Sequence, residues 1–502
     1  MYTAILCREK LANALGEVNT ATPAPAPAQP GAVTLPGHDT ALGPTARGTR
    51  QALDASRAMP YAFLHHQRKP MHSPSKRQQI LRPNEIRRNN RAVVLRMLRH
   101  SSRLSRAEIA RGSGLSEGTV SRIVADLVED SLVVEDGAEN STGGRPGKCL
   151  QLAQDRFGIG VNIETWETRF SVANMPGRIV ESKAVRTSPN PDRTLEVIAE
   201  QFRAYQAQYG ADRLEGLGVT ARGIVDSHLG VVKMGNDPRW RRVPVRETLR
   251  RKLGVRVDVE NNARAAALAE YHYTNPDLHA CRCVLFVMVT DGFGVGIILD
   301  GRLYTGPHMA AGEFGQMVVA DVGDSEPHDR RGCLEQLVSN QAICARYAAL
   351  TSDSAATTSG DYAARVRRIC QAAIDGDPIA HEALRETARY LGLGIANLMW
   401  GLDPDAVILW STMDLVWPML LPLIQQQLPD LGHGPSFRSV QIRLSMLGEQ
   451  CAAVGAATLP FSPLFNAGES ARTPDAAVRP IERQDRKTYA RSHRLSTGSP
   501  RP

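Results

Sequence analysis

The chain has 502 residues, of which 42% are apolar, 5% aromatic and 22% charged, and its 60 Lys and Arg against 52 Asp and Glu leave a net charge of +8. That length suits two or three domains with ample core, and no apolar run of about 18 residues exists to cross a bilayer. The opening MYTAILCREKLANALGEV meets charge too early for a signal peptide. Eight scattered cysteines make no disulfide framework, so reduced thiols in a cytoplasm are expected. Collagen-like, coiled-coil and wholly disordered classes fail on composition.

The basic excess is localised. Residues 1–150 hold 21 Lys and Arg against 13 Asp and Glu, so the remainder is net neutral. Within 82–122 ten arginines face three glutamates, the concentration that a phosphate-backbone footprint requires.

Residues 1–80, rich in Ala, Pro, Gly, Thr and Ser, read as a disordered extension, and 463–502, with eight basic against four acidic residues, as a disordered basic tail. Residues 82–152 and 153–462 are the expected folded parts, with no fixed-period repeat. Pro83 to His100 predicts a helix on Ile86, Ala92, Val93, Leu95, Met97 and Leu98. Ser105 opens SRAEIA as a capping box with Glu108, and Gly112 and Gly114 are the expected terminators.

Ser116 caps a second helix whose Val120, Ile123, Val124, Leu127 and Val128 form one buried stripe. The opposite face, Glu117, Gly118, Thr119, Ser121, Arg122 and Ala125, is slim enough for a major groove about 12 Å wide. This is a helix-turn-helix pattern. Leu132–Glu135 and Lys148–Leu152 read as strands of a wing with Arg145 at its tip. Thr119, Ser121 and Arg122 are the candidate groove contacts; Ser105, Arg106, Ser116 and Arg145 complete the candidate DNA-binding set.

The stretches SEGTVSRIVADLVEDSLVVEDG and STGGRPGKCLQL resemble the winged helix-turn-helix of regulators in the ROK family of repressors, open reading frames and sugar kinases. The resemblance runs to about residue 460. It implies an α/β chain in which the winged helix-turn-helix precedes a two-lobed actin-like, ribonuclease-H-like sugar-kinase fold.

The resemblance also shows where this chain departs from a family kinase. The first phosphate turn, glycine-rich in the kinases, is here Asn162, Ile163, Glu164, Thr165 and Trp166. Arg222 of GLGVTARGIVD replaces a usual proline, and VENNARAAALAE has Asn261 followed by Asn262 where the kinases carry Asn and the catalytic Asp. An amide cannot accept the proton of an attacking hydroxyl, so no enzyme activity is expected. Gly292, Gly294 and Gly296 of TDGFGVGIILDG resemble a second phosphate loop, while Trp410 and Ser411 of AVILWST would crowd the adenine turn.

On the sugar side the resemblance gives Asn236 with Trp240, then Asn261, Asn262, Glu313, Gln316 and Glu335 as candidate ligands of a carbohydrate effector. Gln316 stands where the family has a zinc-binding His. Cys333 has no partner thiolates at ligand spacing, Cys281 and Cys283 lie far upstream, and His328 is the nearby imidazole, so neither metal nor cofactor is expected. Leu384, Ala388, Leu391, Ile395 and Leu398 form a helical stripe that fits either a core or a dimer face. The expected protein is a transcriptional repressor that binds a double-stranded operator as a homodimer or dimer of dimers. Two alternatives stand beside it: a ligand-independent regulator using the kinase-like part as a scaffold, and an active sugar kinase fused to a DNA reader.

Overall fold

The computed structural model describes residues 83–138, 148–235, 237–274, 276–320, 332–351, 360–430 and 440–465. The expectations for residues 1–80, Arg145, Asn236, His328 and the chain beyond Phe465 lie outside these.

Pro83 opens α1 (Pro83–His100), a position where its missing N–H would have no partner anyway. The buried face of α1 is Ala92, Val94, Leu95 and Leu98, narrower than the sequence suggests. Ile86 is 46% exposed, because packing begins only at Ala92. A two-residue strand, β1 (Leu104–Ser105), leads into α2 (Arg106–Ser113). The capping box forms as expected: Glu108 N–H donates to Ser105 Oγ at 3.3 Å, and Ser105 N–H donates to Glu108 Oε2 at 2.7 Å.

Gly114, at φ 71°, ends the helix. Gly112 does not; it lies inside α2, where a Cβ would come within 2.5 Å of Met97 Cε. Then α3 (Glu117–Glu129) buries Val120, Ile123, Val124 and Leu127, while Val128, at the edge of the stripe, is 39% exposed. β2 (Val133–Ala138) and β3 (Lys148–Leu152) complete a small sheet of order β1-β3-β2.

The first lobe is an antiparallel meander of β4 (Phe157–Ile163), β5 (Glu167–Asn174) and β6 (Ile179–Arg186), followed by α4 (Pro191–Tyr209). β7 (Leu214–Ala221), the hairpin β8 (Ile224–Asp226) and β9 (Val231–Met234), α5 (Val245–Leu253), β10 (Val257–Asn261) and α6 (Asn262–Tyr273) come next. β7 and β10 add in parallel, giving the order β10-β7-β4-β5-β6.

The second lobe holds β11 (Cys283–Val289), β12 (Phe293–Leu299), β13 (Arg302–Leu303), α7 (Leu334–Val338), α8 (Asn340–Thr351), α9 (Tyr362–Ile374), α10 (Pro378–Leu402), β14 (Ala406–Ser411), α11 (Trp417–Asp430) and β15 (Gln441–Leu444). Its sheet order is β13-β12-β11-β14-β15. Again an antiparallel meander receives two parallel strands. The lobes therefore share one topology although the sequence shows no repeat, because the topology is carried by buried apolar positions and not by residue identity. The α10 stripe Leu384, Ala388, Leu391, Ile395 and Leu398 lies in the core of this lobe, which settles the choice between core and dimer face.

The closing helix α12 (Cys451–Thr458) reads CAAVGAAT, and every residue of it is buried. It touches the first sheet backbone to backbone. A Cβ on Gly158, Gly160 or Gly218 would fall 2.0, 2.3 or 2.0 Å from main-chain atoms of Ala456 and Ala457, so these strand glycines are the condition for that contact. Gly294 and Gly296 serve α6 in the same way, with Ala263 Cβ and Ala267 Cβ 2.7 and 2.3 Å from the position a Cβ would take.

Finally α13 (Ser462–Phe465) returns to the N-terminal domain. Met175, Phe461 and Phe465 are buried in the same apolar cluster as Leu98, Ile109, Val124 and Leu150. The start of the segment read as a tail is thus a structural element, and the winged helix-turn-helix shares its core with the body. No described helix is long and apolar enough to cross a membrane.

Candidate DNA-binding surface and interlobe cleft

On α3 the face opposite the apolar stripe is open. Glu117, Gly118, Ser121, Arg122 and Ala125 are exposed and Thr119 is half-buried. Ser116 Oγ accepts the Thr119 N–H at 3.3 Å and bonds Thr119 Oγ1 at 2.8 Å, fixing the first turn. Arg122 Nε donates only to its own helix, to Gly118 O at 3.4 Å, so its guanidinium remains at the surface. Ser105 is otherwise engaged: it is buried and its hydroxyl donates to Glu108 Oε2 at 2.8 Å, which makes it a cap.

The arginine concentration is only partly a surface facing outward. Arg87 pairs with Asp126 at 2.7 Å, Arg91 with Asp130, and Arg106 shares Glu135 with Lys148. These two hydrogen bonds hold the Glu135 carboxyl below its ordinary range. Arg96 and Arg99 face the body, where Arg96 Nη1 donates to Phe465 O at 2.7 Å and Arg99 Nη2 bonds His272 Nδ1 at 2.9 Å. Arg88, Arg103, Arg111 and Arg122 are exposed. A charge count along the chain cannot make this separation.

The cleft between the lobes centres on Glu164, a residue absent from the predicted site. Asn162 Nδ2 and Asn262 Nδ2 donate to Glu164 Oε1 at 3.1 and 3.0 Å, and Arg222 Nε stands 3.7 Å from Oε2. Burial pushes the Glu164 carboxyl above its ordinary range; Arg222 and the two amides oppose that rise, and Asp291 adds to it. Arg222 Nη1 also donates to Thr165 Oγ1 at 3.3 Å. Its Nη2 reaches across to the β11–β12 turn, 2.3 Å from where a Gly292 Cβ would be. Arg222 therefore fills the space between the first turn and Gly292, the one glycine of its trio that faces the cleft.

The other expected sugar ligands divide. Asn261 caps α6, accepting the Arg264 N–H at 3.1 Å and donating to Gly223 O at 2.9 Å. Glu335 Oε2 accepts the Phe293 N–H at 3.0 Å beside Gly292. The Glu313 carboxyl is raised by burial and by Glu335, with Arg264 opposing. Gln316 is exposed. Arg264 itself is buried in a pair with Glu260 at 2.9 Å.

A cavity of about 440 Å³ opens beside Glu164, walled by Trp166, Arg222, Asp237, Arg239 and Trp240. Of these, the resemblance puts Arg222 and Trp240 in stretches beside a sugar. Glu164 and Arg222 carry opposite charge, and that complementarity is the signal in the sequence for their pairing. Trp410 packs with Met288 and Ile408 against α6, its Nε1 buried with no partner among the described residues. Cys333 Sγ donates to Gln316 O at 3.4 Å, and burial pushes the Cys283 thiol to about 11. No group of three or more His, Cys, Asp or Glu fit for a metal occurs among the described residues.

A winged helix-turn-helix sharing its core with two kinase-like lobes defines a class of protein in which a DNA reader is joined to a sugar-kinase scaffold. Residues 158–461 match the ROK family and residues 92–137 the IclR helix-turn-helix domain. The first match spans more than half of the chain, which belongs to the ROK family. The xylose repressor of Caldicellulosiruptor bescii is 24% identical over 403 residues, covering 77% of this chain and 98% of that protein. The DNA-binding transcriptional dual regulator NagC of Escherichia coli is 27% identical over 363 residues, 70% of this chain and 87% of its own.

Among solved structures, a ROK family transcriptional regulator homologous to the E. coli MLC protein gives a TM-score of 0.64 at 23% identity, over 76% of this chain and 98% of that one. A ROK family glucokinase from Streptomyces griseus, in complex with glucose and AMPPNP, gives 0.50 at 27% identity, over 60% and 98%.

Proposed function

We propose that the protein is a cytoplasmic transcriptional repressor that binds a double-stranded operator through α3. The observation that carries this reading is the slim exposed face of α3 with Arg122 at the surface, presented by a helix whose other face buries Val120, Ile123, Val124 and Leu127 in the core. Repressor names among relatives matched over most of their length support it. Thr119, Ser121 and Arg122 are the base-reading candidates, with Ser116, Arg106 and Arg145 toward the backbone. A homodimer would set two copies of α3 on half-sites about 34–36 Å apart or a multiple of that.

The kinase-like body does not transfer phosphate on this reading. Asn262 donates to Glu164 where a base would be needed, and Arg222 stands in the space before Gly292. The body instead takes a carbohydrate against Trp166, Trp240, Glu313 and Glu335, and its binding energy biases the placement of the DNA-binding domains. The filling of the cleft by Glu164 and Arg222 favours a second reading, in which the body is a ligand-independent scaffold.

Selecting bound sequences from a random DNA pool, with and without sugars and sugar phosphates, tests both. A palindromic site released by one compound supports the sensor; a palindromic site indifferent to all of them supports the scaffold. Absence of any enriched site would overturn DNA recognition by α3.

A further inference from the structure

Between α1 and the body lies a second cavity, of about 760 Å³ and separate from the interlobe cleft. Five parts of the chain bring basic groups to it. Arg96, Arg99 and His100 come from α1, His228 follows β8, His272 lies in the last turn of α6, His279 comes from the 3-10 turn Pro276–Ala280, and Arg302 opens β13. The rings of His100 and His279 lie 3.9 Å apart between centroids, and those of His272 and His279 are stacked at 6.3 Å.

Arg99 sits in the middle. Its guanidinium carbon lies 4.2 Å from the Phe465 ring centroid and 5.2 Å from that of Tyr273, and its Nε is buried with no acceptor among the described residues. The carboxylates at the cavity wall are committed elsewhere: Glu260 to Arg264 at 2.9 Å and Asp300 to Arg282 at 3.0 Å. Arg302 adds a further cation to the wall. Buried charge without a counter-charge is costly and is ordinarily matched by a partner.

We propose that this cavity binds a small polyanion of the phosphate-ester class, held by Arg96 and Arg99 together with the imidazoles of His100, His272 and His279. Two guanidinium groups and neighbouring imidazoles supply charge-assisted hydrogen bonds of the kind that phosphate oxygens accept. Because α1 supplies one wall and the body the other, an occupant ties the DNA-binding domain to the sensor and biases the placement of α3. This site is independent of the carbohydrate reading of the cleft.

Burial and the neighbouring cations disfavour charge on the imidazoles. Burial, then His279, Arg99 and Arg96, lower His100 to about 3; burial and Arg99 lower His279 to about 4; burial, Arg99 and the neighbouring rings hold His272 well below its ordinary value. The tyrosines facing the group, Tyr271 and Tyr273, are pushed up by burial and stay protonated, and so does Cys281. A bound anion opposes the cations that lower the rings, so an anion of fixed charge raises their values and draws protons onto the imidazoles.

The test is calorimetric titration of the full chain at pH 6.5 with inorganic phosphate and with sulfate, a tetrahedral anion whose charge is fixed in this range whereas phosphate exchanges protons of its own. Ionic strength is fixed with NaCl, and two buffers of different ionisation enthalpy report the protons in the sulfate titration. The expected result is one saturable site for both anions, with net proton uptake on sulfate binding. It weakens at least tenfold in Arg99→Gln and in His279→Gln, and is unchanged in Glu313→Gln in the cleft and Arg122→Ala on α3. His279→Gln carries the test if Arg99→Gln does not fold. No binding of either anion, sulfate binding without proton uptake, or binding lost with Arg122→Ala but not with His279→Gln would overturn the proposal.

Discussion

Phe465 offers the most direct probe of the joint between the DNA-binding domain and the body. Its ring is buried in the cluster that contains Leu98, Ile109 and Leu150, and it underlies the Arg99 guanidinium at 4.2 Å. Truncating a core Phe to Ala costs about 3–5 kcal/mol, and the lost cation–π contact adds about 0.5–1 kcal/mol. Because the affected contacts are those that hold α1 to the body, Phe465→Ala raises the population of an opened N-terminal domain on the order of 10³- to 10⁴-fold, at about 1.4 kcal/mol per decade. When reclosing outpaces cleavage, proteolysis follows that population, so tryptic cutting after Arg96 and Arg99 accelerates by the same factor. A variant cut at the wild-type rate, with an unchanged melting temperature, would refute the shared core.

Arg122→Ala reduces discrimination between operator and random DNA by about 1–3 kcal/mol per lost base contact, whereas Arg145→Ala weakens both equally and lowers the salt slope; competition titrations at two salt concentrations separate the two. Gly160→Ala drives a Cβ to within 2.3 Å of Ala457 N and lowers stability in urea melts by about 1–3 kcal/mol, while an unchanged midpoint would show that α12 can move. His100 and His279, held at about 3 and 4 against an ordinary 6.5, leave the folded joint binding fewer protons than the unfolded chain. Its stability is therefore full above pH 6.5 and falls as pH drops below that value, and a His100→Gln, His279→Gln double variant flattens that slope in thermal melts across pH 4 to 7.

Much of the fold is legible because it is written in local chemistry. The caps Ser105 and Ser116 mark the helix starts, the stripe Val120 to Leu127 its buried face, and the spacing in α10 its apolar side, though not what that side packs against. What escapes is what depends on distant partners. Gly112 reads as a terminator because only the approach of Met97 explains it inside a helix, and Gly294 and Gly296 read as a phosphate loop because only α6 explains them as packing sites. Arg96 and Arg99 count toward a DNA surface in sequence, yet they face His272 and Phe465, about 170 and 370 residues away along the chain. Of the candidate sugar residues, Asn262 and Glu335 border the Arg222–Gly292 gap, whereas Asn261 is taken by the α6 cap, a role its position before a helix also predicts.

Glu164 and Asn262 form a hydrogen-bonded unit, and Asn262→Asp tests it. On the proposed reading of position 262 that change would supply a base, but here it sets a second carboxylate about 3.0 Å from Glu164 Oε1, in the place of an amide that donates to it. Glu164 is already raised by burial and by Asp291, with Arg222 opposing. Two carboxylates at that range share a proton, so one of them is raised further. The folded state then binds more protons than the unfolded chain, and stability falls as pH rises above the ordinary carboxyl value near 4.5. Partial solvent access limits the loss to about 1–2 kcal/mol at pH 8, and the variant recovers wild-type melting near pH 4.5. Since Arg222 still fills the space before Gly292, no ADP is released from ATP and sugar. A variant that turned over ATP, or that melted like the wild type at pH 8, would show that Glu164 and Asn262 are not a single hydrogen-bonded unit.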